Sequence, residues 1–257
     1  MMAALACFSL TAAFAQAPDA ALAPDAAQAP TALPEIAPIP DAAPLKEPEA
    51  PLRADFKDEN PGNQVRNAAD TALQTRDHGG KPFAIVDKIA ARVYVFDAEG
   101  GLVAAAPALL GIAIGDHIAP GVGEMNLAKI PMKDRTTPAG RFEAALGKNY
   151  HGKQILWVDY DSALSMHPVI NTVPSERRPH RLATPTPLDN RISFGCINVP
   201  IPFFKDVVAR VFKDTGGVVY ILPELLSGEA QAVLKTPVPK PTVPKSPDPK
   251  GRSTAAR

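Results

Sequence analysis

The chain is expected to be mainly β, a β-sandwich or barrel with one helix packed on it. Three observations carry that expectation. Between residues 81 and 226, apolar, β-branched and aromatic residues come in short runs separated by Gly, Pro and Asn. Within that span one stretch, after Pro200, has a clear helical spacing of apolar residues. No strand–helix–strand alternation recurs of the kind that builds a parallel sheet.

Taken in order, residues 1–15 (MMAALACFSLTAAFA) are apolar and end in Ala13-Phe14-Ala15, a small-x-small pattern before Gln16. They read as an export signal peptide, too short for a membrane span. Residues 16–59 are dominated by Ala, Pro and Asp and read as a disordered, extended tether. Residues 60–80 hold a candidate helix over Asn60–Asp77, with Val65, Ala68, Ala69, Ala72 and Leu73 on one side and His78-Gly79-Gly80 as its stop. Residues 81–226 form the expected folded domain, long enough for one real core. Its strands are expected at 83–87, 92–97, 102–106, 109–114, 141–146, 154–160, 163–169 and 218–222, with a long loop over 115–140 and a helix over 201–214. Residues 227–257 repeat Pro and Lys without apolar periodicity and read as a disordered tail, since such a segment cannot bury enough surface to offset its ordering entropy.

The 257 residues carry no net charge, which argues against nucleic acid as a partner. Acidic residues gather in the tether and basic ones in the tail, as solvated ends do. Cleavage after Ala15 would remove Cys7 and leave Cys196 alone in an oxidising compartment. A cysteine there normally has a partner, so a lone thiol is a candidate for reactive use. One cysteine with scattered histidines lacks the spacing of a zinc site, so no metal and no cofactor are expected.

The stretch Arg191-Ile192-Ser193-Phe194-Gly195-Cys196-Ile197-Asn198-Val199-Pro200 reads as a short strand that turns sharply and opens a helix. Gly195 permits the turn, Asn198 is placed as the helix N-cap, and the thiol ahead of it would gain thiolate character from the helix dipole. A reactive thiol needs a base. His78 lies in a Gly-rich boundary and His117 in a loop, and both are expected to be exposed and silent; His151-Gly152 reads as a turn. His167 ends a strand and is favoured. His180 sits in the polar loop 171–190 and is the runner-up.

Ser193-Phe194-Gly195-Cys196-Ile197-Asn198 is similar to the Ser/Thr-His-Gly-Cys-apolar-Asn/Arg signature of the L,D-transpeptidase catalytic domain, with Phe194 in place of the histidine before Gly-Cys. Thr137-Pro138-Ala139-Gly140-Arg141-Phe142 resembles the same family's Thr-Pro-x-Gly-x-Phe segment. The resemblance implies an exported protein of the bacterial periplasm, in peripheral contact with the cell wall and acting on peptidoglycan tetrapeptide stems. Cys196 would be the nucleophile and His167 the base. Backbone N–H groups around Gly195 and Cys196 would be the oxyanion donors, Ser193 and Asn198 would hold the loop, and Arg191 and His180 are candidates for substrate binding. Hydrolysis through the same thioester (a carboxypeptidase or cross-link hydrolase) and a non-catalytic wall-binding module are the alternative readings.

Overall fold

A computed structural model describes residues 52–224. The expected leader, most of the tether and the tail lie outside the described residues. The architecture is mainly β, as expected. Ten strands follow a first helix: α1 (Asn63–Thr75), β1 (Phe83–Asp87), β2 (Arg92–Phe96), β3 (Leu102–Pro107), β4 (Leu110–Gly111), β5 (Gly140–Lys148), β6 (Gln154–Asp159), β7 (Leu164–Pro168), β8 (Arg191–Ser193), β9 (Ile197–Val199) and β10 (Gly217–Ile221). A six-residue helix α2 (Arg178–Ala183) precedes β8, and a helix over 201–211, here α3, follows β9.

Eight strands form one sheet in the order β3-β2-β1-β10-β5-β6-β7-β9, and β4 and β8 form a separate pair. The sheet's two edges meet. Leu109, just past β3, exchanges backbone hydrogen bonds of 2.8 and 2.9 Å with Asn198 in β9. Closure of this kind satisfies edge groups that would otherwise seek another chain. The pairing is mixed, because β1 runs parallel to β10 and β7 parallel to β9.

The central strands are buried on both faces, and alternation sorts their side chains into two cores. Ala84 and Val86 of β1, Val93 and Val95 of β2, and Val219 and Ile221 of β10 enter one core. Their neighbours Phe83, Ile85, Tyr94, Phe96, Val218 and Tyr220 enter the other. The first core is closed by Phe203, Phe204, Val208 and Phe212 of the α3 region. A stripe at 204, 208 and 212 has a period of four, longer than the 3.6 of an α-helix. The π-helical turn Phe204–Val208 widens the helix and keeps that stripe aligned.

The second core corrects the expected domain start. Val65, Ala69, Ala72 and Leu73 of α1 pack there with Phe56, which lies in the segment expected to be tether. Asp55 also bridges to Gly101, so the packed region begins near residue 54 rather than at Lys81. A lone aromatic in a Pro- and acid-rich run makes no periodicity, which is why composition alone hides it. His78, expected to be exposed, is buried, with its ring nitrogens 3.0 and 3.1 Å from the Ala72 and Ala98 carbonyl oxygens. The expected strand over 109–114 shrinks to the two residues of β4, and the 115–140 loop contains three short 3-10 turns. No described helix is long and apolar enough to cross a membrane.

Candidate active site

Two neighbouring parallel strands bring the candidate residues together. β7 and β9 pair Met166 with Ile197 and His167 with Asn198. Met166 and Ile197 are fully buried in the first core. Alternation therefore turns Ser165 and His167, and Cys196 and Asn198, to the opposite face. The short sequences Ser-Met-His and Cys-Ile-Asn are two halves of one constellation.

The thiol of Cys196 is partly exposed. Its Sγ lies 3.5 Å from the Ser165 hydroxyl and 3.6 Å from the Ala163 carbonyl oxygen. His167 Nδ1 is 2.8 Å from the Pro168 carbonyl oxygen, which can only accept, so Nδ1 carries the hydrogen. The other ring nitrogen then offers a lone pair. Its surroundings agree with that tautomer. Arg178 Nη1 donates to Asn198 Oδ1 at 2.9 Å. A guanidinium only donates, so the amide oxygen faces it and Nδ2 faces inward. Nδ2 lies 3.4 Å from His167 Nε2 and 3.3 Å from the Cys196 carbonyl oxygen.

Burial by itself would push the Cys196 thiol up. The hydrogen bond and charge of His167 outweigh it, helped by the Ser165 hydroxyl and backbone N–H, and the thiol is held below its ordinary value. Burial works against the charged form of His167 too. There the hydrogen bond and charge of Cys196, with the Pro168 carbonyl, prevail over burial and over the nearby Arg178, and the imidazole is raised. The two shifts have one cause: each group stabilises the charged form of the other.

The turn that presents the thiol is held from three sides. Gly195 has φ +125°, and a Cβ there would lie 2.8 Å from the Thr136 carbonyl oxygen, so only glycine fits. Thr137, fully buried, donates its hydroxyl to the Gly195 carbonyl at 2.7 Å and accepts from Gly111 N–H at 2.8 Å. Ser193 Oγ donates to the Cys196 carbonyl at 2.6 Å and accepts from Gly195 N–H at 3.1 Å. The Thr-Pro-x-Gly segment thus clamps the Gly-Cys turn.

Several expectations change. Asn198 is a residue of β9 and does not cap the helix, which begins at Ile201 after Pro200. The lowered thiol therefore owes its charge to His167 and Ser165, not to a helix dipole. Gly195 N–H, expected to face an oxyanion, is engaged by Ser193. Arg191 turns inward: it pairs with Glu224 and donates Nη2 to the Lys88 carbonyl at 2.8 Å. Glu224 and Asp116 also flank the fully buried Lys88 ammonium, which donates to Asp116 at 2.5 Å and to the Gly115 and Thr137 carbonyls at 2.7 and 2.9 Å. His180 is exposed on α2, a helix rather than a loop, and none of its described contacts reaches the thiol. Ser165, Thr137 and Arg178 were missed as site residues. Alternation in Ser165-Met166-His167 was the available signal for the first.

No family model matches the chain, and no curated protein matches it in sequence. Solved structures do. An L,D-transpeptidase from Mycobacterium smegmatis matches with a TM-score of 0.32 at 16% identity, over 55% of this chain and 58% of that one. The catalytic domain of an E. faecium L,D-transpeptidase matches with a TM-score of 0.30 at 17% identity, over 55% of this chain and 97% of that one. An LD transpeptidase in complex with imipenem matches with a TM-score of 0.30 at 17% identity, over 55% and 58%. The chain thus spans little more than half the length of the M. smegmatis protein.

Proposed function

We propose that the protein is a cysteine acyltransferase of the L,D-transpeptidase kind, exported to the periplasm and acting on peptidoglycan tetrapeptide stems. The observation that supports this most is the pairing of a lowered thiol with a raised imidazole on adjacent strands, the imidazole held by its far nitrogen. Such a pair is what nucleophilic catalysis by cysteine requires. The substrate class comes from the resemblance of the Ser193–Asn198 and Thr137–Phe142 segments.

In this reading Cys196 Sγ, as thiolate, attacks the carbonyl carbon that joins the third residue of a stem to its terminal D-alanine. The carbonyl electrons move onto oxygen, where the Cys196 backbone N–H is the assigned donor. As they return, the C–N bond breaks and His167 Nε2 gives its proton to the departing amine, leaving a thioester. An amine of a second stem then attacks that thioester. His167 Nε2 takes the proton released, the C–S bond breaks, and the thiolate and imidazolium are restored. Ser165 and Asn198 hold the thiol and the ring in register, and Arg178 holds Asn198.

Incubation of the protein with tetrapeptide muropeptides, followed by mass spectrometry, tests the reading. Cross-linked dimers with release of D-alanine are the expected products. Tripeptides alone would replace transfer by hydrolysis. Unchanged substrate would leave a wall-binding module instead of an enzyme.

A further inference from the structure

Phe194 stands where the resembled signature has histidine, and its ring is not idle. The guanidinium carbon of Arg135 lies 4.0 Å from the Phe194 ring centroid, a close cation–π stack. Arg135 is held independently of that stack. Its Nε donates to the Ile130 carbonyl at 2.9 Å, its own carbonyl accepts from Ala113 N–H at 3.2 Å, and the next residue, Thr136, lies against Gly195. The guanidinium is thereby fixed beside the turn that carries Cys196.

Its charge is unspent. Arg178 pairs with Glu176 and Arg191 with Glu224, whereas Arg135 has no carboxylate partner among the described residues. Arg135 is also half-buried, so water weakens an ion pair there less than at an open surface. A stacked guanidinium keeps its edge N–H groups free in its own plane, the geometry that receives a carboxylate through two hydrogen bonds.

We propose that Arg135, held on the Phe194 ring, receives a carboxylate of the acyl donor close to the scissile carbonyl, and so selects donors with a free acid at that position. The inference rests on the acyl-transfer reading for the identity of the donor. The anion site itself does not depend on turnover.

Alkylation of Cys196 tests it, using the full chain and reading the Cys196 peptide by mass spectrometry. Iodoacetate carries a carboxylate, and iodoacetamide is its neutral counterpart. Arg135→Gln is expected to slow iodoacetate about tenfold, the size of one charge-assisted contact, and to leave iodoacetamide unchanged. Lys133→Gln, at an exposed neighbouring cation, is expected to change neither rate. An unaltered ratio of the two rates in Arg135→Gln, or an equal fall in both, overturns the proposal. On the unsubstituted chain, N-acetyl-D-alanine is expected to protect Cys196 from iodoacetamide, and its primary amide is not. Equal protection by both, or none, also overturns it. Stem peptides amidated at the terminal or at the side-chain carboxylate then tell which acid is bound. A protein that fails the muropeptide assay can still pass the alkylation test, so the two failures are distinguishable.

Discussion

The candidate site is held together by a few hydrogen bonds around one imidazole. His167 Nδ1 is committed to the Pro168 carbonyl, so Nε2 is the ring nitrogen left with a lone pair. Because His167 lowers the Cys196 thiol, thiolate forms at lower pH than in an ordinary cysteine near 8.5. Replacing His167 by Gln removes the lowering influence. The pH profile of Cys196 alkylation by iodoacetamide is expected to move upward, with a rate at pH 7 reduced roughly tenfold or more. A profile that stays in place would mean that His167 does not govern the thiol. Arg178 acts in the opposite sense on His167, since its charge disfavours the imidazolium. Arg178→Met should therefore raise the His167 titration midpoint observed by NMR, and a downward movement would contradict the assigned geometry.

At the scale of elements, the Gly-Cys turn and the Thr137 segment form one unit although they lie 58 residues apart in sequence. Thr137→Val would leave the Gly195 carbonyl and the Gly111 N–H without their buried partner. Urea denaturation is expected to show a loss of about 1–3 kcal/mol, typical of buried polar groups left unsatisfied. Gly195→Ala combines a left-handed φ with a backbone clash and should both destabilise the fold and slow alkylation of the thiol. Full reactivity in that variant would show that the turn is not rigid. The Thr-Pro-x-Gly run was legible as a motif. Its purpose was not, because nothing local in the sequence says that a threonine hydroxyl reaches a carbonyl across the molecule.

Across the whole molecule, two features bind the ends of the described chain to its centre. One is the second core, in which Phe56 and α1 cover the ring stack of Phe83 and Phe96. A fragment of 81–224 is expected to lose cooperative thermal unfolding, whereas 52–224 should keep it, because removing α1 exposes a face of the central strands. The other is the buried charge group of Lys88, Asp116, Arg191 and Glu224. Lys88→Met strips the ammonium from between two buried carboxylates, and a loss on the order of 3–5 kcal/mol is expected by denaturant titration. A neutral effect would mean that the carboxylates find other partners.

The sequence by itself determined the mainly β class, the approximate place of the longer strands, the helix after Pro200 and the glycine turn that carries Cys196. These depend on local information: period-two alternation, turn residues and helical spacing act over a few neighbours. Only the tertiary structure decided the rest. β9 has three residues and no periodicity of its own, and it exists because β7 and Leu109 supply hydrogen bonds on its two sides. Arg191 was drawn inward by Glu224, 33 residues away, and Phe56 was drawn into the core by aromatic rings about 40 residues on. His167 rather than His180 lies beside the thiol because one strand register aligns it with Asn198. Register is a property of two strands at once, and neither strand's sequence contains it alone.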